Sequence, residues 1–222
     1  MLVGAVLALV LVAVLAVGGY VYAHSTGTTD ASKLERVVLI FESPAEDGAT
    51  VAALVTIVSN GKLTDVAPDK KVTIPGTTAG LLRDAYVFGG GGGVARALGE
   101  GDEGGPTAFV AVPPSTWATA VDDAGGVSVN VPQALTVFNG SELITIRPGA
   151  QKLSAKQVAA LLDAQGYLPP EQAGVLRAEL AAQMVSVMAS SPPAAAQLES
   201  DLDSDAVSTW VRTRFPQVVN GQ

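Results

Sequence analysis

Continuous apolar runs bounded by turn-forming residues constrain the fold of this chain more than any other feature. Val37–Phe41 is apolar at every position, and Thr50–Val58 is apolar except at its threonines. Runs without alternation are typical of strands buried on both faces of a sheet. An Asn60-Gly61 pair then separates the second run from a third strand at Leu63–Val66, and Asn-Gly in this position indicates a β-hairpin. The folded part therefore begins with a strand followed by a hairpin.

Helical patterns begin at residues that commonly start helices. Ser115 is predicted to cap one helix, which ends before Gly125. Ser154 begins another helix, predicted over 154–164. A proline pair then starts a long helix over 170–190, and a last amphipathic segment ends near Phe215.

Strand patterns lie between these helices. Ala108–Val112 is a further continuous apolar run, whereas Val127–Val131 alternates apolar and polar residues and predicts a half-exposed strand. Shorter strands are predicted at 72–74, 136–138 and 143–146. Interleaved helices and strands, interrupted by a hairpin, predict a mixed α/β (α+β) fold in which helices flank a central mixed β-sheet on both faces.

The N-terminal segment carries no charged residue from Leu2 to Ala23. A helix of that length spans about 33 Å at ~1.5 Å per residue, which matches a hydrocarbon core of about 30 Å. We therefore predict a transmembrane anchor over residues 1–23, while the small residues around Tyr22 leave open a cleaved signal peptide. Residues 24–36 are then a polar linker, 37–191 the main domain and 192–222 a C-terminal helical extension.

Charge and composition exclude several functional classes. The 222-residue chain has a net charge of −8, which repels nucleic acid and leaves no basic surface to bind it. The chain contains no cysteine, and His24 is its one histidine. Disulfides, thiolate chemistry, His-based catalytic triads and multi-histidine metal sites are therefore excluded. Any chemistry must use carboxylates, hydroxyls, lysine or arginine.

Three stretches carry a resemblance to a known family. "LLRDAYVFGG" at 81–90 is similar to K-I-N-x-A-Y-x-x-G-G, and "AVDDAGGVSVNVP" at 120–132 is similar to L-V-D-A-L-G-G-V-x-V-x-V-P. "IRPGAQKLSAKQVAALLDAQ" at 146–165 resembles L-x-x-G-x-x-x-L-x-G-x-x-A-L-x-Y-x-R-x-R. The three stretches occur in the same order and with similar spacing in one known family. Over roughly 37–190, the chain therefore resembles the LytR–CpsA–Psr (LCP) family of cell-envelope proteins.

The resemblance implies a location, a fold and a reaction. LCP proteins are anchored in the cytoplasmic membrane by one N-terminal helix, with the main domain outside the cytoplasm. They move glycopolymers from a polyprenyl-pyrophosphate lipid to peptidoglycan or a similar acceptor, usually with Mg²⁺. The expected partners are therefore the cell membrane, a polyprenyl lipid and the cell-wall glycopolymer machinery, with no nucleic acid.

The early family motifs depart from their usual charges here. Where the family has R-S-D before an apolar strand, this chain has Asp47 followed by a glycine and an alanine. In the S-I-P-R-D motif, Pro68 matches the proline, but Asp69 replaces the arginine and Lys70 replaces the aspartate. The signs of the second motif are therefore reversed.

The late family motifs have lost arginines as well. The late Y-x-R-x-R aligns with Leu161, Asp163 and Gln165, which leaves no arginine. In the R-x-x-R-Q stretch that follows, Gly174 takes the first arginine's place and Arg177 matches the second. Losing three arginine forks removes roughly 5–9 kcal/mol of binding to a pyrophosphate, at ~1.5–3 kcal/mol for each charged hydrogen bond.

These losses favour a degenerate LCP-like protein that retains the fold and the anchor without the transfer chemistry. No residue is assigned as catalytic, and Arg83, Arg96 and Arg177 are the candidates if activity remains. Asp47 is the candidate metal ligand, and Mg²⁺ is expected only under the enzyme hypothesis. Such a protein binds a polyprenyl-linked intermediate or an envelope partner. Two alternatives stay open, an active glycopolymer transferase with relocated residues and a purely structural envelope domain.

Gly89–Gly93 and several aromatic residues have structural interpretations. The glycine run lacks the G-x-x-x-x-G-K-[ST] pattern of a phosphate loop and is predicted to be a turn before a helix. The aromatic residues predicted to lie in the core are Tyr86, Phe88, Phe109, Trp117 and Phe138.

Overall fold

A computed structural model describes residues 35–44, 49–99 and 108–220 of the chain. The predicted anchor over 1–23, nearly all of the linker over 24–36 and the candidate ligand Asp47 lie outside these ranges. Within them, none of the helices combines the length and the apolar character needed to cross a bilayer.

A five-stranded mixed sheet lies at the centre of the fold. Its strands are β1 (Arg36–Pro44), β2 (Thr50–Ser59), β3 (Lys62–Val66), β4 (Ala108–Val112) and β9 (Glu199–Ser200). Their spatial order is β3-β2-β1-β4-β9. β1 pairs antiparallel with β2 and parallel with β4, so the predicted central mixed sheet is confirmed. The Asn60-Gly61 hairpin joins β2 to β3 in antiparallel register, as predicted.

Both faces of the sheet are covered, which explains the unbroken apolar run of β1. Val38 and Ile40 point into one core cluster, and Leu39 and Phe41 point into the other. All four side chains are fully buried. Alternate residues of a strand point to opposite faces, so a strand covered on both sides is apolar throughout.

Helix α1 (Leu82–Gly99) covers the first face and is bent at its glycines. Gly89 and Gly90 have non-helical backbone angles, and Gly90 has a φ of +56° that favours glycine. Beyond the bend, a Cβ on Gly91 would lie 2.2 Å from the Phe109 ring. The predicted turn is present as a bend at Gly89 and Gly90, whereas residues 91–93 are helical, and Gly91 lets the second half of the helix pack against β4.

The second face carries the larger core and most of the remaining elements. Its helices are α2 (Pro114–Asp123), α3 (Ala155–Ala164) and α4 (Pro170–Ser190). Two small antiparallel ladders accompany them, β5 (Val127–Val131) with β8 (Gly149–Leu153) and β6 (Leu135–Phe138) with β7 (Leu143–Ile146). Ser154 caps α3 in a capping box with Gln157, as its place before the apolar pattern predicted.

The C-terminal segment packs on this domain. β9 adds to the outer edge of β4, where the Asp201 carboxylate accepts a hydrogen bond from the Phe109 N–H at 3.0 Å. Helix α5 (Ser204–Asn220) then contacts α4 and buries Trp210 and Phe215, whose rings meet edge to face with centroids 5.5 Å apart. The segment thus completes the larger core and covers a sheet edge that would otherwise be open.

Several local predictions were wrong. The 72–74 segment is not a strand, and α2 begins after Pro113 with no side-chain cap from Ser115. The sequence patterns also missed β8 and β9. Two of the aromatic residues assigned to the core, Phe88 and Phe138, are each 61% exposed, while Phe109 is half-buried. Phe88 lies at the bend of α1, and Phe138 points away from the side of β6 that buries Val137.

Candidate functional site

The candidate site lies where β1 ends, at the centre of the sheet. β1 and β4 are parallel, so their carboxyl ends share one edge of the sheet. Ligands of α/β proteins commonly bind at such an edge. β1 ends in Glu42, Ser43 and Pro44, and the first turn of α2 follows the end of β4 closely.

Glu42 is a buried carboxyl group held by two elements from opposite faces. The Tyr86 hydroxyl on α1 donates a short hydrogen bond to Glu42 Oε1. The Trp117 indole N–H on α2 donates to the Glu42 backbone oxygen at 2.8 Å. Glu42 is 2% exposed and Tyr86 is 9% exposed. One residue at the end of β1 therefore ties both helical layers to the central strand.

Burial controls the protonation of this pair. Loss of water around the Glu42 carboxyl raises its pKa, which the Tyr86 hydrogen bond partly opposes and the nearby Glu199 carboxylate reinforces. Burial also raises the pKa of Tyr86, with the Glu42 contact adding to the shift. The tyrosine is therefore a neutral donor. With both groups buried and bonded to each other, the pair links α1 to β1 rather than presenting a reactive group to a ligand.

Asp163 and Gln165, which the sequence resemblance aligns with arginines of the late motif, lie against the ends of β1 and β2. The buried Ser43 hydroxyl donates to Asp163 Oδ1 at 3.4 Å, and Asp163 is exposed near the end of α3. Gln165 Nε2 donates to the backbone oxygens of Ala53 at 3.2 Å and Leu162 at 3.0 Å. This part of the site thus presents a carboxylate and an amide where the resemblance implies guanidinium groups.

The Gln165 amide is fixed in one orientation and leaves an acceptor unused. A flipped amide would place its oxygen against two carbonyl oxygens, so the hydrogen bonds decide the assignment. Oε1 is buried and has no hydrogen-bond partner among the described residues. An amide oxygen accepts only from a donor, so this buried group offers nothing to a phosphate oxygen.

Arg177, which the sequence resemblance aligns with an arginine of the family's late helix motif, is bound to a carboxylate of the same chain. Its Nε donates to both oxygens of Asp65 at 3.0 and 3.1 Å, and its Nη2 donates to Oδ2 at 2.8 Å. The side chains of Arg177 and Asp65 are 9% and 16% exposed. This two-pronged geometry is the one with which arginine binds a phosphate, so Asp65 occupies that edge of the guanidinium.

The other two arginine candidates lie on the opposite layer. Arg83 is exposed in the first turn of α1, where its backbone N–H donates to the Pro68 oxygen at 3.0 Å. Arg96 is exposed near the end of the same helix, beyond the glycine bend. Because α1 covers one face of the sheet and the helix of Arg177 covers the other, the three candidates do not share a face.

The described carboxylates do not fit a Mg²⁺ site. They contain no group of three or more residues with metal-ligating side chains. Mg²⁺ prefers several oxygen ligands in octahedral geometry, with at least one or two charged carboxylates. At the end of β1, Glu42 is bound to Tyr86 and its raised pKa favours the neutral form. Metal binding through Asp47 remains a prediction, since that residue lies outside the described ranges.

Comparison with known proteins shows which solved structures share this fold. Neither a protein-family model nor a curated protein matches the sequence. The structure of TagT bound to LIIa-WTA is similar to this chain with a TM-score of 0.59 and 16% identity, over 86% of this chain and 77% of TagT. B. subtilis TagV gives a TM-score of 0.57 and 13% identity, over 85% of this chain and 81% of TagV.

A third solved structure names both a family and a ligand. The LytR-CPS2A-psr family protein YwtF (TagT) with bound octaprenyl pyrophosphate lipid gives a TM-score of 0.57 and 15% identity, over 86% of this chain and 75% of YwtF. Identities this low establish the fold alone. The mixed sheet, its helical layers and these likenesses together show that the chain has the LCP-like fold that its sequence motifs predict.

Proposed function

We propose that this chain is an extracytoplasmic, membrane-anchored LCP-like envelope protein that binds a polyprenyl-linked intermediate without transferring its glycopolymer. The fold supports binding of a polyprenyl-linked ligand, because structures that share this fold were solved with LIIa-WTA and with octaprenyl pyrophosphate. The anchor rests on the uncharged segment from Leu2 to Ala23.

The observation that carries the proposal is the two-pronged ion pair between Arg177 and Asp65. Transfer from a polyprenyl pyrophosphate requires donors that stabilise the charge developing on the phosphates. Asp65 already takes the Nε–Nη2 edge of this guanidinium, so a second anion could reach only its Nη1 side unless the pair breaks. Asp163 adds a negative charge at another expected arginine position, so the site favours an uncharged part of the ligand.

The first experiment compares lipids that differ only in their head groups. The full chain in detergent micelles is incubated with octaprenyl pyrophosphate or with octaprenol, and retained lipid is measured by native mass spectrometry beside TagT. We expect this chain to retain both lipids to a similar degree, whereas TagT prefers the pyrophosphate. A preference above about tenfold, or ~1.4 kcal/mol, together with transfer of a glycopolymer, would overturn the proposal.

A gain-of-charge variant tests the electrostatic reason directly. Asp163→Arg replaces an exposed carboxylate with a guanidinium at the end of α3. We expect it to improve retention of the pyrophosphate about tenfold or more, at ~1.5–3 kcal/mol for a charged hydrogen bond. Asp123→Arg makes the same change at an exposed position on α2 and is the matched control. Equal effects of the two variants would mean that only net charge matters.

The active-transferase alternative has one observation in its favour. The start of α1 is hydrogen-bonded to the stretch that carries the reversed motif, Leu82 N–H to Lys70 O at 2.9 Å and Arg83 N–H to Pro68 O. Arg83 and Lys70 are both exposed there and could replace the lost arginine. Transfer activity that is lost in Arg83→Ala and retained in Arg212→Ala, an exposed arginine on α5, would favour this alternative over the proposal.

A further inference from the structure

A polar cleft lies on the second face and shares no lining residue with the site at the end of β1. It has a volume of about 460 Å³ and lies between the β5–β8 ladder and helix α4. Six polar side chains line it: Ser128, Asn130, Gln151, Lys152, Glu179 and Gln183. The volume falls within the roughly 300–1,000 Å³ typical of small-molecule sites, and backbone and side-chain carbon atoms share the lining with these polar groups.

The walls of the cleft are held in place by regular structure. Ser128 lies directly across from Lys152 in the ladder, and Asn130 lies across from Ala150. Glu179 Oε1 accepts a hydrogen bond from the Asn130 N–H at 2.9 Å, which fixes α4 against the edge of β5. Lys152 Nζ donates to the Ala124 oxygen at 3.0 Å. The charged groups of the cleft are therefore positioned before any ligand arrives.

Hydrogen-bonding capacity remains on these walls. Within the described part of the chain, Glu179 Oε2 and the side chains of Ser128 and Gln183 have no hydrogen-bond partner. The Lys152 ammonium has three donors and uses one of them on Ala124. The cleft thus offers a hydroxyl, an amide, a carboxylate oxygen and ammonium donors to a molecule that enters it.

The balance of these groups decides the chemical class of the ligand. One carboxylate and one ammonium cancel, so the cleft does not select for an anion or a cation. Neither an aromatic ring nor a large apolar surface lines it, which disfavours a nucleobase or a lipid chain. Interspersed donors and acceptors suit a neutral molecule rich in hydroxyl groups, each of which both donates and accepts.

We propose that this cleft binds a short neutral oligosaccharide segment, with Glu179 and Gln183 on α4 and Ser128 and Lys152 on the ladder as its contacts. The open side of the cleft lets a chain continue beyond the bound units. The cleft shares no residue with the site at the end of β1, and its proposed binding does not depend on lipid binding. In an envelope protein it would hold a glycan while the lipid-linked part of a ligand lies elsewhere.

The test uses neutral tetrasaccharides on the full chain, in a detergent without a sugar head group. Chitotetraose, cellotetraose and maltotetraose are titrated separately, and binding is followed by saturation-transfer NMR. We expect at least one to bind with a Kd near 1 mM, as suits a polar and open site. Absence of binding by all three up to ~10 mM would overturn the proposal.

Variants locate the binding. Ser128→Trp places a bulky ring in the cleft from an exposed strand position and should abolish binding. Thr145→Trp makes a similar change on an exposed strand position of β7 and should leave binding unchanged. Gln183→Ala should weaken binding severalfold and Glu179→Gln about tenfold, because hydrogen bonds to a charged group are the stronger ones.

Two results separate this proposal from the lipid proposal. Retention of octaprenyl pyrophosphate and octaprenol should be unchanged in Ser128→Trp, whether retention is strong or weak. Tetrasaccharide binding that persists in Ser128→Trp would overturn the cleft proposal and leave the lipid proposal intact. If the wild-type chain binds a tetrasaccharide but retains neither lipid, the lipid proposal is overturned and the cleft proposal stands.

Discussion

Arg177 on α4 and Asp65 on β3 form a two-pronged ion pair that joins the second helical layer to the edge of the sheet. Removing one partner leaves a largely buried charge alone. We therefore expect Asp65→Ala to lower the free energy of unfolding by about 3 kcal/mol. The measurement is urea denaturation of the full chain, followed by tryptophan fluorescence.

The ion pair at Lys156 and Glu142 is the matched control, since both of its side chains are more than half exposed. Glu142→Ala should change the free energy of unfolding by at most about 1 kcal/mol. The double variant Asp65→Leu with Arg177→Met replaces the buried pair with apolar groups and should recover most of the loss. Equal costs for Asp65→Ala and Glu142→Ala would contradict the proposed burial of charge.

Glu42 should make stability depend on pH. Its pKa is raised by burial in the folded protein, so the unfolded chain releases this proton at a lower pH than the folded chain does. The stabilisation from the protonated group is complete below the unfolded pKa, near 4.5, and is lost as pH rises towards the folded pKa. Glu42→Gln keeps a neutral acceptor for Tyr86 and removes this loss.

The expected result is that Glu42→Gln gains stability relative to the wild type as pH rises from about 4.5 towards neutrality. Thermal unfolding of both proteins at several pH values measures this difference. Asp123→Asn, a change at an exposed carboxylate, is the control. If the stability difference between Glu42→Gln and the wild type stays constant over this pH range, the Glu42 carboxyl is equally acidic in the folded and unfolded chains.

Tyr86→Phe tests the other side of the same contact. It removes the hydroxyl that donates to Glu42 Oε1 and leaves a buried carboxyl group without that partner. We expect a loss of about 1–3 kcal/mol in the free energy of unfolding, from urea denaturation at neutral pH. The loss should shrink in a Glu42→Leu background, where no polar group is left unsatisfied. Additive effects of the two substitutions would rule out this coupling.

The central part of the fold was predictable because its signals are local. The apolar run of β1, the Asn60-Gly61 turn and the Ser154 cap each depend on residues a few positions apart. β8 has the sequence GAQKL, which carries almost no strand pattern, and it forms because β5 offers it five register positions. β9 has two residues, too few for any periodicity. Pairing with a distant strand, rather than the strand propensity of their own residues, therefore determines that β8 and β9 form.

The candidate site was harder to predict than the fold. Glu42 ends an otherwise apolar strand, which is a signal that sequence reasoning passed over, but its partner Tyr86 is 44 residues away. Likewise, the resemblance singles out Arg177 as a candidate, but it does not show that Asp65, 112 residues away, binds it. The exposure of Phe138 follows from alternation with buried Val137 on β6, so that error was avoidable.

The glycines of α1 provide a matched pair for the last prediction. Gly91→Ala places a Cβ 2.2 Å from the Phe109 ring, whereas the nearest atom to a Cβ on Gly92 is 3.7 Å away. Gly91→Ala should therefore cost about 1–3 kcal/mol of stability through overpacking. Gly92→Ala should be neutral or stabilising by up to ~1 kcal/mol, because alanine is the better helix former. Urea denaturation of both variants measures the contrast. If Phe109→Ala does not reduce the cost of Gly91→Ala, the ring is not its cause.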